Sequence, residues 1–268
     1  MRGGAGLPFQ QGHRARPIHQ AARFRTAHAH RTADSCSRRS GFRQVRATRL
    51  LLPLAVAVCA WLAIGAGVGW LPADWLFVFK PLTTVLVIVH ALRRDGGSPT
   101  VRRWILIGLL LSLGGDVALL WPQQGFVPGL VCFLLAHLSY LFAFTRTAPF
   151  LSRRWPFVVY ALVAGGILSQ LWPGVPGALR APVVAYVLCL ASMAAQAAVV
   201  WRASQHGPDA GRGGVLAFGG LLFVCSDALL ATNKFAMALP LSSLWILATY
   251  WAAQWCIASW LRPREFHG

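Results

Sequence analysis

LLLSLGGDVALL, residues 109–120, places one carboxylate, Asp116, among neighbours that are apolar or very small. LLFVCSDALLATN, residues 221–233, does the same around Asp227. Apolar runs of about 20 residues are the length that crosses a bilayer as a helix, so these two stretches read as membrane spans that each carry a charge. A carboxylate at the centre of such a span costs about 2.5–3.5 kcal/mol on insertion scales and marks a functional position by default.

The rest of the chain agrees with a membrane reading. Its 268 residues are 56% hydrophobic and only 12% charged, with a mean hydropathy of +0.56, whereas soluble domains carry roughly a quarter charged residues. Soluble folds and a nucleic-acid role are excluded on that ground. The net charge of +18 is concentrated in a tail and a few loops. Residues 1–49 hold eleven arginines against one acid, Asp34, with no apolar run long enough for a signal-peptide core. Three readings of this segment stand: a disordered basic tail near anionic lipid, an Arg-rich transit peptide, or a start placed upstream of a working chain that begins near Val45. The cysteines, Cys36, Cys59, Cys132, Cys189, Cys225 and Cys256, form no CxxC and no paired spacing, and read as inert thiols.

Apolar runs and their breaks predict eight transmembrane helices, at about 50–69, 75–92, 103–121, 126–145, 155–172, 181–201, 214–235 and 240–261. The domain reading is therefore a basic tail over 1–49, an eight-helix domain over 50–262 and a short tail over 263–268. Trp70, Trp75, Trp121, Trp155, Trp172 and Trp201 fall at span ends, as an interfacial belt requires. The loops after the second, fourth and sixth spans hold Arg93, Arg94, Arg102, Arg103, Arg146, Arg153, Arg154, Arg202 and Arg212, while the opposite loops hold only Arg180, with Lys234 at a helix end. Positive-inside then puts both termini in the cytoplasm. Gly108, Leu110, Leu111, Asp116 and Leu119 recur at the same offsets as Gly219, Leu221, Leu222, Asp227 and Leu230. This match predicts an all-α protein of two parallel four-helix repeats.

Few other polar residues lie inside the spans: Lys80, His137, Tyr140, Asn233, Lys234, Tyr250 and Gln254. Asp227 and Lys234 are seven residues apart and share a helix face, as do His137 with Tyr140 and Tyr250 with Gln254. Each also has a plain structural reading. Lys80 snorkels to an interface, the His, Tyr and Gln side chains join helices, His90 is interfacial, and the acids and lysines neutralise one another. Such buried pairs add little stability, since desolvation offsets attraction, which favours a functional cavity. No His/Cys/acid set has metal-ligand spacing, and no nucleophile elbow is present; neither a metal nor another cofactor is expected.

KPLTT (80–84), GGDVALL (114–120), AHLSYLFAF (136–144), FVCSDALLATNKF (223–235) and YWAAQ (250–254), in that order over eight spans, resemble the YhhN family, also called the TMEM86 or lysoplasmalogenase family, over residues 50–262. The resemblance implies hydrolysis of the vinyl-ether bond of a lysoplasmalogen to a fatty aldehyde and glycerophosphoethanolamine or glycerophosphocholine. It implies Asp116 and Asp227 as the catalytic pair and a lysophospholipid within the bilayer as substrate, and it places the chain in a bacterial inner membrane. Lys80, His137, Tyr140, Asn233, Lys234, Tyr250 and Gln254 are the candidates for substrate contacts, with Lys80 or Lys234 on the phosphate.

Vinyl-ether cleavage needs an acid to protonate the β-carbon, an anion to stabilise the oxocarbenium ion, and water at the α-carbon; two carboxylates in unlike surroundings supply this. The shared face of Asp227 and Lys234 points to Asp227 as the ionised base and Asp116 as the acid, with the reverse assignment open. Two other classes compete. A proton-coupled transporter fits the parallel repeat, but no matching pair of broken helices interrupts the centres of corresponding spans. An intramembrane aspartyl protease needs glycine three residues before its aspartate, where this chain has Leu113.

Overall fold

A computed structural model describes residues 50–95 and 97–263. The tail read over 1–49 and the last five residues lie outside them, together with Cys36. Eight helices follow in order: α1 (Leu50–Val68), then α2 (Trp75–Leu92), α3 (Pro99–Ala118), α4 (Phe126–Thr145), α5 (Trp155–Leu171), α6 (Gly177–Ser204), α7 (Ala210–Phe235) and α8 (Ser242–Trp260). A single 3₁₀ turn, Trp172–Gly174, joins α5 to α6.

Six of the eight, α1, α2, α4, α5, α6 and α7, are long and apolar enough to cross a membrane. The two that fall short are α3 and α8. They carry the polar side chains that the fold buries together, Ser112 and Asp116 on α3 and Tyr250 and Gln254 on α8. Helix α3 also carries Arg102 and Arg103 in its first turns.

Three helices start four residues ahead of the sequence reading: α3 at Pro99, α6 at Gly177 and α7 at Ala210. Ser98–Pro99 opens α3 rather than sitting in a loop: Ser98 is extended and Pro99 takes the first turn, where its missing N–H and fixed φ are no handicap. Helix α6 begins at Gly177, ahead of Pro182, and runs to Ser204. Pro182 lies near enough to the N-terminus that it removes only one intrahelical bond, and the good helix formers Ala178, Leu179 and Arg180 extend the helix before it.

Helix α3 packs on α2 and α4, and α7 packs on α6 and α8; α2 also meets α8, and α4 meets α6. Lipid gives no hydrophobic drive for helices to associate, so close approach over small residues matters most. The glycines matched between the halves provide it. A Cβ at Gly108 would overlap the Tyr140 ring on α4, and one at Gly219 would come 2.8 Å from the Cys256 Cβ on α8. Helix α6 is the most enclosed span and α5 the least. Val158, Leu162 and Val163 on α5 and Leu54 and Trp61 on α1 point away from the bundle, as surface facing lipid does.

At the end that holds the arginine-rich loops, Arg94–Asp95 pairs antiparallel with Arg262–Pro263. Arg94 donates to the carbonyls of Ser259 and Leu261, and Arg262 donates to Asp209. His90 joins this clasp: its ring stacks on Trp255 at 3.8 Å and its Nε2 takes a bond from Arg94. It is thus a tether between α2 and α8 and more than interfacial.

Candidate active site

The two aspartates sit in unlike surroundings. Asp116, on α3, is almost fully enclosed. One of its oxygens, Oδ2, accepts the hydroxyls of Thr84 on α2 at 2.6 Å and Tyr250 on α8 at 2.8 Å. Thr84 in turn accepts the Trp251 indole N–H at 3.1 Å. The network continues: Gln254 donates its amide to the Tyr250 oxygen at 3.2 Å and accepts the Tyr140 hydroxyl at 2.8 Å. Ser112 stands 3.4 Å from the Tyr140 oxygen. Four helices, α2, α3, α4 and α8, are therefore tied to one carboxylate. The predicted site residues Tyr140, Tyr250 and Gln254 all fall in this network. Lys80 is buried one turn before Thr84 on α2, and the only ion pairs within 4.0 Å among the described residues are those of Asp209.

Asp227, on α7, has one partner among the described residues, the Tyr186 hydroxyl on α6, which donates to Oδ2 at 2.5 Å. It lines an apolar cavity of about 90 Å³ between α4, α5, α6 and α7, walled by Phe126, Phe133, Tyr160, Tyr186 and Phe235 among others. Asp116 is not among the lining residues. Phe133 stands between the two: it lines the cavity, its ring meets Tyr250 edge-on at 5.7 Å, and Gly115, beside Asp116, lacks the Cβ that would overlap that ring.

His137 is fully buried with neither ring nitrogen partnered among the described residues. Its ring lies edge-on to Tyr186 at 5.4 Å and to Phe223 at 4.8 Å, between the Asp227 pair and the Tyr140 network. Asn233 and Lys234 lie elsewhere. The Asn233 Oδ1 accepts the Leu239 N–H at 2.9 Å and shapes the turn into α8. Lys234 is exposed, its Nζ 5.0 Å above the Phe126 ring. The pairing of Asp227 with Lys234, which the shared face suggested, is not formed. Seven residues along one face align two side chains, but Phe126 of α4 takes the lysine and Tyr186 of α6 takes the carboxylate.

Sequence reasoning missed Thr84 and Tyr186. A signal for Tyr186 existed: the chain has only four tyrosines. Two are bound up with Asp116, one holds Asp227, and the fourth, Tyr160, lines the cavity. Of the cysteines in the described residues, Cys189 is buried and Cys225 exposed, and all five are free thiols.

The YhhN family model matches residues 75–261, which takes in both aspartates and every candidate residue. The chain belongs to the YhhN family. The human lysoplasmalogenase TMEM86B is 32% identical over 77% of this chain and 83% of its own length. Its pig counterpart is 36% identical over 69% of this chain and 76% of its own. A lysoplasmalogenase of Mycobacterium tuberculosis is 29% identical over 61% of this chain and 63% of its own. No solved structure matches this YhhN protein significantly. Its site thus offers one carboxylate tied into a polar network and a second, sparsely bonded, at the wall of a greasy cavity.

Proposed function

We propose that this YhhN protein is an integral-membrane lysoplasmalogenase. It hydrolyses the vinyl-ether bond of a lysoplasmalogen, releasing a fatty aldehyde and glycerophosphoethanolamine or glycerophosphocholine. The names of its relatives support the substrate class. The observation that carries the mechanism is the position of Asp227, a carboxylate with a single hydroxyl donor at the wall of an apolar cavity.

The surroundings favour the reverse of the roles suggested by the shared face of Asp227 and Lys234. Asp227 is the acid: its proton goes to the β-carbon of the vinyl ether, leaving an oxocarbenium ion. Water adds at the α-carbon and returns a proton to Asp227. The hemiacetal then collapses, its hydroxyl proton passing to the glycerol oxygen as the carbon–oxygen bond breaks. Asp116 is the anion. Two hydroxyls donating to one oxygen, with the buried Lys80 one turn from Thr84 on the same helix, hold a negative charge in place, and a fixed charge in a water-poor site acts strongly on a developing cation. Phe133 screens Asp116 from the cavity, so the substrate meets this charge through or past that ring. Tyr186 orients the acid, and Lys234 lies at the rim for the phosphate.

The same reading places all eight helices in the membrane with both termini on the cytoplasmic side. It also derives the helices from two parallel repeats. The contacts support this: exchanging α2, α3 and α4 for α6, α7 and α8 turns α2 on α3 into α6 on α7, α3 on α4 into α7 on α8, and α2 on α8 into α6 on α4, and each aspartate accepts a hydroxyl from the preceding helix.

The test is aldehyde release by the purified protein in detergent with a synthetic lysoplasmalogen. Release without any membrane gradient is expected. Failure of every headgroup and chain length, from a protein with an intact melt, contradicts the proposal and reopens the transporter.

A further inference from the structure

The cavity at Asp227 continues into a second apolar groove of about 480 Å³ between α5, α6 and α7. The two share Tyr160, Ile167, Val224 and Ala228, so one track runs from the carboxylate toward the end of the bundle that holds Arg153, Arg154 and Arg202. Its α7 wall is Asp227, Val224, Leu221, Ala217 and Gly214; steps of three and four residues put them on a single face. Trp201 closes the far end, where a Cβ at Gly214 would stand 3.5 Å from the indole nitrogen. Along α5 the groove is open, with Val159 and Val163 half exposed toward lipid.

We infer that this track is the binding groove for the alkenyl chain and that Ala217 and Trp201 set the chain length the enzyme accepts. The inference rests on the lysoplasmalogenase reading. Length decides which way the substrate lies. Thirteen residues of α7 separate Asp227 from Gly214, a rise of about 20 Å, which matches an extended chain of about 16 carbons. In the other direction, Asp227 is only about 12 Å from the end of α7 at Phe235, too short for that chain but long enough for a glycerophospho headgroup. Lys234 sits there over Phe126, and Arg180 lies over Trp172 nearby, so two cations face the phosphate. The vinyl ether then rests at Asp227 with its tail toward Trp201, and the open α5 side admits the chain sideways from the bilayer. The leaflet that supplies the substrate is the one opposite the arginine-rich loops.

The experiment measures kcat/KM for choline lysoplasmalogens with chains of 10 to 20 carbons, in mixed micelles at fixed surface concentration. The native protein should gain roughly fourfold per added carbon while methylenes are still being buried, and level off near 16 carbons. Ala217→Phe blocks the track about 15 Å from Asp227, so its profile should level off near 12 carbons, with the shortfall against the native protein growing at each carbon beyond that. Trp201→Ala removes bulk and should move the turning point to longer chains. Aldehyde release with the same turning point in all three proteins overturns the groove. A uniform loss across chain lengths in Ala217→Phe does so too if Trp201→Ala also fails to move the turning point. No release by the native protein at any length overturns the hydrolase reading and this inference with it.

Discussion

Asp116 and Asp227 occupy matching places in the two halves of the chain, yet the fold treats them differently. Around Asp116 the three helices facing it contribute Thr84, Tyr250 and, through Tyr250, Gln254 and Tyr140. Around Asp227 the matching surface is mostly apolar, Phe133 and the Tyr160 ring included, and among the described residues Tyr186 supplies the one hydroxyl bonded to the carboxylate. Two helices with the same spacing of glycine, leucines and aspartate thus carry the same residue into two solvents. One is a polar network that fixes a charge. The other is an apolar hollow, where a carboxylate has few partners and a lipid has room. On the proposed mechanism, the difference separates a charge held for its field from a proton held for transfer.

The largest effect that sharpens this contrast is expected from Asp227→Asn. It keeps size and the Tyr186 contact but cannot give up a proton to carbon. Aldehyde release should fall about 10²–10⁴-fold, the usual worth of general acid catalysis, while the melting temperature barely moves. Activity retained to within a few-fold would remove Asp227 from the acid role.

Asp116→Asn should differ by costing stability as well. The amide oxygen can still accept both hydroxyls, but it no longer carries the charge that strengthens these bonds and balances Lys80. Turning two hydrogen bonds to a charged group into neutral ones costs about 1–3 kcal/mol, which lowers the melting temperature by about 3–10 °C for a chain of this size. Adding Lys80→Met to that variant should restore the melt but not the activity. Recovery of both would reduce Asp116 to a partner of the lysine.

How much of this was legible in the residues follows from the same contrast. Composition and period gave the helices because a span must be apolar along its whole length, and the rarity of charge made Asp116 and Asp227 visible. Tyr140, Tyr250 and Gln254 were visible as polar exceptions, but their joining at Asp116 depends on how α4 and α8 rotate, which no local pattern encodes. The pairing of Asp227 with Lys234 does not form, because a shared face says nothing about the neighbouring helix; Phe126 intervenes. Ser98–Pro99 looked like a loop, since the same pair suits either a turn or a helix start.

A smaller change tests the Asp227 side alone. Tyr186→Phe deletes the one hydroxyl on the acid while leaving the aromatic wall. A single neutral hydrogen bond is worth about 0.5–1.5 kcal/mol, so kcat should fall about 3- to 10-fold with little change in KM. An equal loss in Tyr250→Phe without any effect on the melt would erase the distinction between the two surroundings. The smallest effect belongs to Lys234→Gln. The lysine is exposed and forms no ion pair with Asp227, so KM should rise a few-fold with kcat unchanged, as for the loss of a screened surface charge. A collapse of kcat would instead couple it to the acid.

The measurement that goes most directly to the proton transfer is hydrolysis in heavy water, with the aldehyde reduced at once and its deuterium located by mass spectrometry. Proton transfer from Asp227 to the β-carbon predicts one deuterium on the carbon next to the former carbonyl, acquired at the rate of hydrolysis and slowed in step with it in Asp227→Asn. Aldehyde formed with no deuterium at that carbon would contradict protonation at carbon, and with it the division of labour between the two aspartates.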